Sequence, residues 1–359
     1  HQTMVAAKPR EAQTSGYPNV LHQCVNAVYA AMCSRSLDGG RTWSPSVSAY
    51  ANENLSNLCG AQHGHMTSSP DGHVYLPTSS CGTNPRVYIS GDDGLTWRRS
   101  DISDMDTPFV DPSVSVDSDG NLYATFIDEK GWLYFTTSRN NGKTWAKPQR
   151  YADGYTANMP VIVAGDPGKV VIAYPATKDL KKGYKTKGYI GGNETDLVKK
   201  VSWGANFSVS YNSLARKPKF ETTVATGKDP LDRGSMCAAA TRCDYLIDFI
   251  EAVIGPDGRP YASFVDGCLD QCATDAAGDP KEGTGVGLLA TLPSGEPLCW
   301  SVCWRYKGAP KAELDVLAAL RFSRTPEQVQ SSFEHGTMSP DMRLLMYQAT
   351  LRRLDALGR

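Results

Sequence analysis

The chain has 359 residues, and its 37 lysine and arginine residues nearly balance its 38 aspartate and glutamate residues. A formal net charge of −1 provides no overall field that would attract nucleic acid or an acidic surface. No apolar run approaches the ~18 residues of a membrane-spanning helix, and the chain is long enough to bury a large core. We therefore expect neither a nucleic-acid partner nor a transmembrane segment.

Residues 1–24 carry no clear repeat and are expected to add an outer strand or to wrap around the first repeat. The first residue is His1, and the sequence leaves open whether a signal segment was removed. An amino-terminal histidine can chelate copper, but an arbitrary start is the simpler interpretation. No cofactor and no metal are predicted.

One short pattern, Ser-x-Asp-x-Gly-x-Thr-Trp, occurs at Ser36–Trp43 and Ser90–Trp97, and Ser138–Trp145 repeats it with asparagine for aspartate. The copies start 54 and 48 residues apart, a period typical of repeat architectures such as propellers. Asp or Asn can bond its own backbone and Gly supplies positive φ, so each copy is predicted to be a hairpin turn. The positions expected to be structural are Ser36, Asp38, Gly40, Trp43, Ser90, Asp92, Gly94, Trp97, Ser138, Asn140, Gly142 and Trp145.

A second repeated signal, Asp-Gly or Asp-Pro-Gly, lies between short runs rich in β-branched and aromatic residues. Its glycines are Gly72, Gly120 and Gly168, spaced 48 residues apart, and Gly258 follows after a longer gap. Asp-Gly between such runs favours a tight hairpin. Each repeat is therefore predicted to hold four antiparallel strands, as a propeller blade does.

The eight-residue pattern resembles the Asp box, or bacterial neuraminidase repeat, of the sialidase-like β-propellers. The resemblance implies an all-β fold, an Asp-box β-propeller of about six four-stranded blades over residues 25–308. Blades two and three are expected at about 63–107 and 108–155, and blade five starts near Asp248.

Blade four is expected to begin at Met159, to lack an Asp box and to carry a lysine-rich insertion at about 177–201. We interpret the insertion as a solvated loop; a cationic flap over an anionic glycan is the alternative. From about residue 310 the glycine and Thr-Trp punctuation ends, and Thr325-Pro326 and Ser339-Pro340 are typical of helix starts. Residues 309–359 are therefore predicted to be a short helical C-terminal extension that packs on the propeller or docks a protein partner.

Ten cysteines, an even number in local clusters, favour disulfides and an oxidising compartment, and hence a secreted or cell-surface protein. Zinc is the weaker interpretation, since no Cys-x-x-Cys pair occurs. The expected pairs are Cys24–Cys33, Cys59–Cys81, Cys237–Cys243 and Cys268–Cys272, with Cys299–Cys303 less favoured.

Blade topology predicts where a site would lie. The Asp boxes and Asp-Gly turns share one end, so a site is expected at the other, over the channel lined by the inner strands. Counting back eight residues from each turn aspartate reaches His63, Asp111 and Asn158, and Asp248 lies nine before Asp257. These residues are predicted to form a polar ring, although Asp and Asn at strand starts also cap turns. Gln62-His63-Gly64-His65 is only weak evidence for a metal site.

Sialidase-like glycosidases hold the substrate carboxylate with three arginines and use an aspartate with a tyrosine–glutamate pair. Here the amino-terminal arginine segment is absent and no tyrosine matches. The resemblance implies Asp248 and Glu251 as catalytic carboxylates, with Asp111 from the polar ring. Substrate binding is assigned to His63, Asn158, Arg233 and Arg242, the last two because a guanidinium fork suits a carboxylate. The function expected is carbohydrate-directed, as a glycoside hydrolase; the alternative is a non-catalytic extracellular propeller that binds protein or glycan or builds a cell-surface assembly.

Overall fold

The computed structural model describes residues 2–10, 16–27, 30–51, 63–79, 84–108, 110–179, 201–233, 250–255, 257–269, 272, 286–292 and 295–299. Twenty-one strands in five antiparallel sheets are defined within these residues. The all-β fold and the propeller class predicted from the repeats are confirmed. The helical extension at 309–359 lies outside the described residues. Within the described residues no helix is both long and apolar enough to cross a membrane.

The first sheet has the order β1-β2-β3-β4, formed by Gln2–Ala7, Val20–Asn26, Ala30–Ser36 and Val47–Ala51. The second has the order β5-β6-β7-β8, formed by Thr67–Ser68, Val74–Thr78, Arg86–Ser90 and Arg98–Asp101. The third, β9 to β12, comprises Ser113–Val116, Leu122–Ile127, Leu133–Ser138 and Gln149–Arg150.

The fourth sheet is larger, because two short strands flank its central pair on each side. It comprises β13 to β18, at Thr156–Ala157, Val161–Ala164, Val170–Thr177, Ser202–Ser210, Glu221–Val224 and Asp232–Arg233. Both β13 and β14 pair with β15, and both β17 and β18 pair with β16. The fifth sheet has the order β19-β20-β21, formed by Glu251–Ile254, Pro260–Asp266 and Val286–Thr291.

The first strands of successive sheets contact one another in the order β1, β5, β9, β14 and β19. They are the inner strands of the blades. The amino-terminal segment therefore contributes an inner strand, β1, whereas an outer strand or a segment that wraps around the first repeat was expected.

Burial differs between the middle and the terminal sheets. Every residue of β6, β10 and β15 is buried, so sheets two to four are covered on both faces. Residues of β2 and β20 alternate between buried and part-exposed. The first and fifth sheets thus bury one face each. On the open face of the first sheet Met4 is 55% exposed, and on that of the fifth sheet Leu289 is 66% exposed.

The Asp boxes are closed hydrogen-bonded turns between the third and fourth strands of their sheets. In the second sheet, Gly94 N–H donates to Ser90 Oγ at 2.8 Å, and Thr96 N–H donates to Asp92 Oδ1 at 2.9 Å. The first box repeats these contacts with Ser36, Asp38 and Thr42. Their glycines have the positive φ that the motif predicts. The serine and aspartate side chains of the boxes therefore bond the backbone of their own turns, as expected for structural residues.

The fourth sheet retains part of the motif that the sequence analysis did not detect. Ser210 Oγ contacts Asn212 Oδ1 at 3.3 Å, and Lys219 N–H donates to the same Oδ1 at 2.9 Å. Only serine and asparagine of the motif remain, so the eight-residue pattern is absent although the turn contact persists.

We expect Asp92→Ala to lower the free energy of unfolding by about 1–2 kcal/mol, because Asp92 accepts three hydrogen bonds that close the turn. Asp92→Asn is the matched control, since Asn140 occupies this position in the third box and bonds Ser138 and Thr144. Urea unfolding of both variants measures the effect. Equal losses for alanine and asparagine would contradict the assigned role of the turn hydrogen bonds.

The glycine turns between first and second strands join neighbouring sheets. Tyr123 donates its hydroxyl hydrogen to Asp117 Oδ2, and the same hydroxyl oxygen accepts the N–H of Gly168 at 2.9 Å. The third sheet is thereby bonded to the corresponding turn of the fourth. We call this end of the blades the turn end, and the opposite end, where the inner strands begin, the loop end.

Two predicted disulfides, Cys24–Cys33 and Cys268–Cys272, are confirmed. Cys24 and Cys33 face each other on β2 and β3, and both are buried in the core between the first two sheets. Cys299 is also disulfide-bonded. The predicted pairs Cys59–Cys81 and Cys237–Cys243 lie outside the described residues.

Candidate functional site at the loop end

The loop end brings together segments that precede the inner strands of several blades. His63–Met66 precedes β5, Asp111 precedes β9, Asn158 precedes β14, and Glu251 is the first residue of β19. We call these residues the channel mouth. Asp248 and Arg242, two other predicted site residues, lie outside the described residues.

A hydrogen bond between His65 and Glu251 crosses the channel mouth. Nδ1 of His65 lies 2.8 Å from Oε2 of Glu251, although the residues are 186 positions apart. The hydrogen bond that His65 donates to Glu251 raises the pKa of His65, burial opposes that rise, and the charges of Glu251 and Asp111 add to it. The side chains are 37% and 54% exposed, so this pair is open to solvent at the mouth.

Asp111 lies beside this pair. Asp111 is half-buried, and a Cβ added to Gly64 would come within 3.3 Å of the Cβ of Asp111. The absence of a side chain at Gly64 therefore lets the segment before β9 pack closely against the segment before β5. Asp111 and Glu251 were predicted from register and resemblance, and the fold brings both near His65.

Tyr50 is an aromatic residue near Asp111 that was not predicted from the sequence. Its ring is buried and stacks on Tyr88 with centroids 4.6 Å apart. Burial raises the pKa of Tyr50, and the charge of Asp111 contributes to the rise. Tyr50 is therefore a protonated phenol at neutral pH, able to donate a hydrogen bond but poorly suited to act as a nucleophile.

His63 and Asn158 are held inside the protein. His63 is fully buried, its Nδ1 lies 3.2 Å from the carbonyl oxygen of Gly64, and burial lowers its pKa. Asn158 is 2% exposed, and its Oδ1 accepts the N–H of Met159 at 3.0 Å. The asparagine contact fits the turn-capping interpretation. Their role in substrate binding stays a prediction.

Arg233 lies on β18, which pairs with the outer side of β16 and not with an inner strand. Its Nε donates to the carbonyl oxygen of Cys272 at 2.6 Å, and its Nη1 donates to Ser202 Oγ at 2.9 Å. These bonds hold the guanidinium against the protein between the fourth and fifth sheets. These contacts of Arg233 do not support the prediction that its guanidinium binds a substrate carboxylate.

Beside Arg233 lie two carboxyl groups that the sequence analysis did not select. Burial raises the pKa of Asp232 to about 7 and that of Asp266 to about 6. Asp232 is 1% exposed; its Oδ1 accepts the Arg233 N–H at 2.7 Å, whereas its buried Oδ2 has no hydrogen-bond partner among the described residues. The N–H of Gly267 donates to the carbonyl oxygen of Leu231 at 2.9 Å and holds the two segments together.

The mouth offers carboxylates and an imidazole, and the buried phenol of Tyr50 lies near Asp111. Such groups can transfer protons and bind sugar hydroxyls. In the residues that the structure describes, no three His, Cys, Asp or Glu side chains are grouped so that they could hold a metal ion.

Residues 19–184 match the family described as BNR repeat-like domain. A crystal structure of a protein of unknown function from Dyadobacter fermentans is 13% identical, with 81% of this chain and 74% of that chain covered and a TM-score of 0.46. No curated protein matches the chain.

Two similar solved structures are of enzymes. An α-L-arabinofuranosidase of Fusarium graminearum is 14% identical, with 77% of this chain and 78% of that chain covered and a TM-score of 0.41. A leech intramolecular trans-sialidase is 11% identical, with 72% of this chain and 36% of that chain covered and a TM-score of 0.43. The chain thus spans about a third of that enzyme's length. The matched residues 19–184 contain all three Asp boxes, so this part of the chain is similar to a BNR repeat-like domain.

Proposed function

We propose that the protein is carbohydrate-directed and acts as a glycoside hydrolase at the channel mouth. The observation that carries this proposal is the His65–Glu251 contact of 2.8 Å with Asp111 beside it. Hydrolysis of a glycosidic bond needs one group to protonate the leaving oxygen and another to stabilise the sugar cation or activate water. Glu251 and Asp111 supply these two carboxyl groups in our proposal.

His65 would exchange protons with Glu251. When Glu251 gives a proton to the substrate, Nδ1 of His65 can replace it, and when Glu251 takes a proton up, Nδ1 can accept it. The transfer is possible because Nδ1 of His65 and Oε2 of Glu251 are within hydrogen-bond distance. Tyr50, as a neutral phenol, would donate a hydrogen bond and would not attack the sugar. The proposed chemistry therefore differs from the tyrosine–glutamate scheme of the resemblance.

The disulfides Cys24–Cys33 and Cys268–Cys272 support an oxidising compartment. We therefore place the protein outside the cell or at its surface in this proposal.

The first test is hydrolysis of a panel of fluorogenic glycosides, a sialoside included, by the wild type and by Glu251→Gln and Asp111→Asn. Each substitution is expected to reduce turnover at least about 100-fold, since general acid–base groups contribute this much. Asp119→Asn is the control, because Asp119 is an exposed carboxylate in a glycine turn at the opposite end. Absence of turnover on every glycoside, from folded protein, would refute the hydrolase.

A second candidate function is a non-catalytic propeller that binds protein or glycan or builds an assembly. The exposed apolar side chains on the open faces of the first and fifth sheets favour it: Met4, Val253 and Leu289 are 55%, 46% and 66% exposed. Binding on a glycan array without turnover, or concentration-dependent association in sedimentation velocity, would support this alternative.

A further inference from the structure

The net charge of the chain is close to zero, but its charges are unevenly distributed among the Asp-box turns. The first box, Ser36–Trp43, holds one aspartate and one arginine, and the second, Ser90–Trp97, holds two aspartates and no cation. The third box and the turn between β16 and β17 hold cations and no acid. Together with the residues that follow the third box, they carry six exposed basic side chains, which we call the basic patch: Arg139, Lys143, Lys147, Arg216, Lys217 and Lys219.

Hydrogen bonds join the two turns that carry the basic patch. Nη2 of Arg139 donates to the carbonyl oxygen of Leu214 at 2.9 Å. Nε2 of Gln149 donates to the carbonyl oxygen of Arg216 at 2.9 Å. The other four cations lie close to these contacts along the chain. The outer turns of the third and fourth sheets are thus held side by side, and their cations lie on one surface at the turn end.

Both turns carry asparagine where the Asp box has aspartate. In the third box, Oδ1 of Asn140 accepts the N–H of Thr144 at 3.0 Å, and in the fourth sheet, Oδ1 of Asn212 accepts the N–H of Lys219 at 2.9 Å. An amide oxygen therefore accepts the turn hydrogen bond that the carboxylate of Asp92 accepts in the second box. The turn is kept, and no negative charge is placed beside the cations.

Carboxylates around the basic patch leave it with an excess of positive charge. Glu221 directly follows the second turn and offsets one of the six cations. Asp71, Asp119 and Asp166 lie in the turns between first and second strands, on the channel side of their sheets. Asp71 pairs there with Arg10 at 3.6 Å. The six cations thus occupy the outer part of the turn end.

The aromatic residues of these turns belong to the core, which restricts the kind of polyanion that fits. The indole N–H of Trp145 donates to Ser100 Oγ at 3.0 Å, and the ring of Phe220 stacks on Tyr151 with centroids 4.7 Å apart. These rings are not available to stack the bases of a single-stranded nucleic acid. Within the described residues 139–149 and 212–219, no large apolar side chain is exposed that could insert into a lipid surface.

We propose that the basic patch is a docking surface for an acidic polysaccharide, a polymer that presents carboxylate or sulfate groups at regular intervals. Four of the six cations are lysines, whose flexible stems suit a series of repeated charges better than one small anion of fixed geometry. Each exposed ion pair contributes little, so several must act together along a polymer. The basic patch lies at the end opposite the channel mouth, and this inference is independent of the proposed hydrolysis.

The experiment measures binding of the full chain to polygalacturonate and to dextran sulfate by surface plasmon resonance. Methyl-esterified polygalacturonate and dextran are the neutral counterparts, and we expect them to bind at least about tenfold more weakly at low salt. The apparent affinity for both polyanions should fall at least about tenfold between about 50 and 300 mM salt, because salt screens exposed charges.

Removing one cation from each turn, with Lys143→Gln and Lys217→Gln together, should weaken binding of both polyanions at least about fivefold. The matched control is Lys130→Gln with Lys178→Gln, which removes two cations at the loop end, where Lys130 follows β10 and Lys178 follows β15. This control should keep the wild-type affinity to within about twofold, because distant exposed charges are screened.

The double variant Asn140→Asp with Asn212→Asp restores the aspartates of the motif. It should weaken binding of the polyanions and leave thermal unfolding unchanged, since aspartate makes the same turn hydrogen bonds in the first two boxes. An equal loss of affinity in the Lys130 and Lys178 control would overturn the basic patch. The absence of binding to either polyanion at low salt would overturn the proposal too, as would tighter binding of phosphatidylglycerol vesicles or of single-stranded DNA.

Discussion

Replacing Asp232 with asparagine is expected to stabilise the protein at pH 8 by about 2–4 kcal/mol, judged from a folded-state pKa near 7 and an ordinary value of 3.8. The folded protein holds the Asp232 proton up to about pH 7, whereas the unfolded chain releases it near pH 4. The unfolded state therefore binds fewer protons between these values, and the contribution of Asp232 to stability falls as the pH rises. Above pH 7 both states are ionised, and the folded protein carries the full cost of a buried carboxylate.

The groups that face Asp232 make asparagine a fitting substitute. Its Oδ1 would keep the 2.7 Å hydrogen bond from the Arg233 N–H, and its amide would replace a charge that Asp266 repels. At pH 4.5 the stability difference between the wild type and Asp232→Asn should be much smaller than at pH 8, since pH 4.5 lies only just above the ordinary pKa of 3.8 at which the loss begins.

The measurement is urea unfolding of both proteins from pH 4.5 to 8. Burial lowers the pKa of His22 to about 4, and this group makes the folded protein more stable as the pH rises from about 4 to 6.5. The difference in the free energy of unfolding between the wild type and Asp232→Asn at each pH therefore isolates the contribution of Asp232, which the wild-type curve alone does not. Asp266→Asn serves as a control with a smaller expected effect, because Asp266 is only half-buried. A variant that is less stable than the wild type at pH 8 would refute the assignment.

Gly72→Ala is expected to destabilise the protein by about 3–5 kcal/mol, the range in which backbone clashes and strained φ angles add together. Gly72 has a φ of +91°, and an added Cβ would lie 2.3 Å from the carbonyl oxygen of Lys8. The clash involves backbone, which cannot move aside as a flexible side chain can. It would displace the segment that carries Arg10, whose N–H bonds Asp93 and whose guanidinium bonds the carbonyl oxygen of Asp71.

Gly120→Ala is the matched control for this variant. Gly120 occupies the equivalent turn in the third sheet with a φ of +87°, but nothing lies within 4 Å of an added Cβ. Its substitution should cost about 1 kcal/mol, from the positive φ alone. Thermal and urea unfolding of both variants give the comparison. Equal losses would show that the contact between Lys8 and the second sheet contributes nothing.

Local chemistry explains which parts of the fold were predictable. The turns at Gly72, Gly120 and Gly168 and the three Asp boxes depend on residues within one hairpin, so their spacing sufficed to predict the first four blades in order. The resemblance implied about six blades, and five sheets are defined within the described residues. The inner position of β1 was not among the expectations for residues 1–24, because the segment before Val20 has no turn motif that would mark a blade. The remnant at Ser210 and Asn212 escaped detection, since two positions of eight do not form a recognisable pattern.

The candidate site was predictable only in part. Counting back from the turns places Asp111 and Asn158 just before inner strands, because the distance from the strand start to the turn is similar in the third and fourth sheets. The His65–Glu251 contact joins residues 186 positions apart and depends on the closure of the blades around the channel. The buried state of Asp232 likewise arises from packing between the fourth and fifth sheets, which no local pattern records.

The hydrogen bonds at the turn end have a consequence for how the molecule unfolds. Arg10 ties the first sheet to the second, Trp145 Nε1 donates to Ser100 Oγ at 3.0 Å between the third and second, and Tyr123 joins the third to the fourth. In a linear array of repeats, such nearest-neighbour coupling decides whether the units melt separately or together. Strong coupling between adjacent blades favours a single cooperative transition, so loss of one blade should carry its neighbours with it.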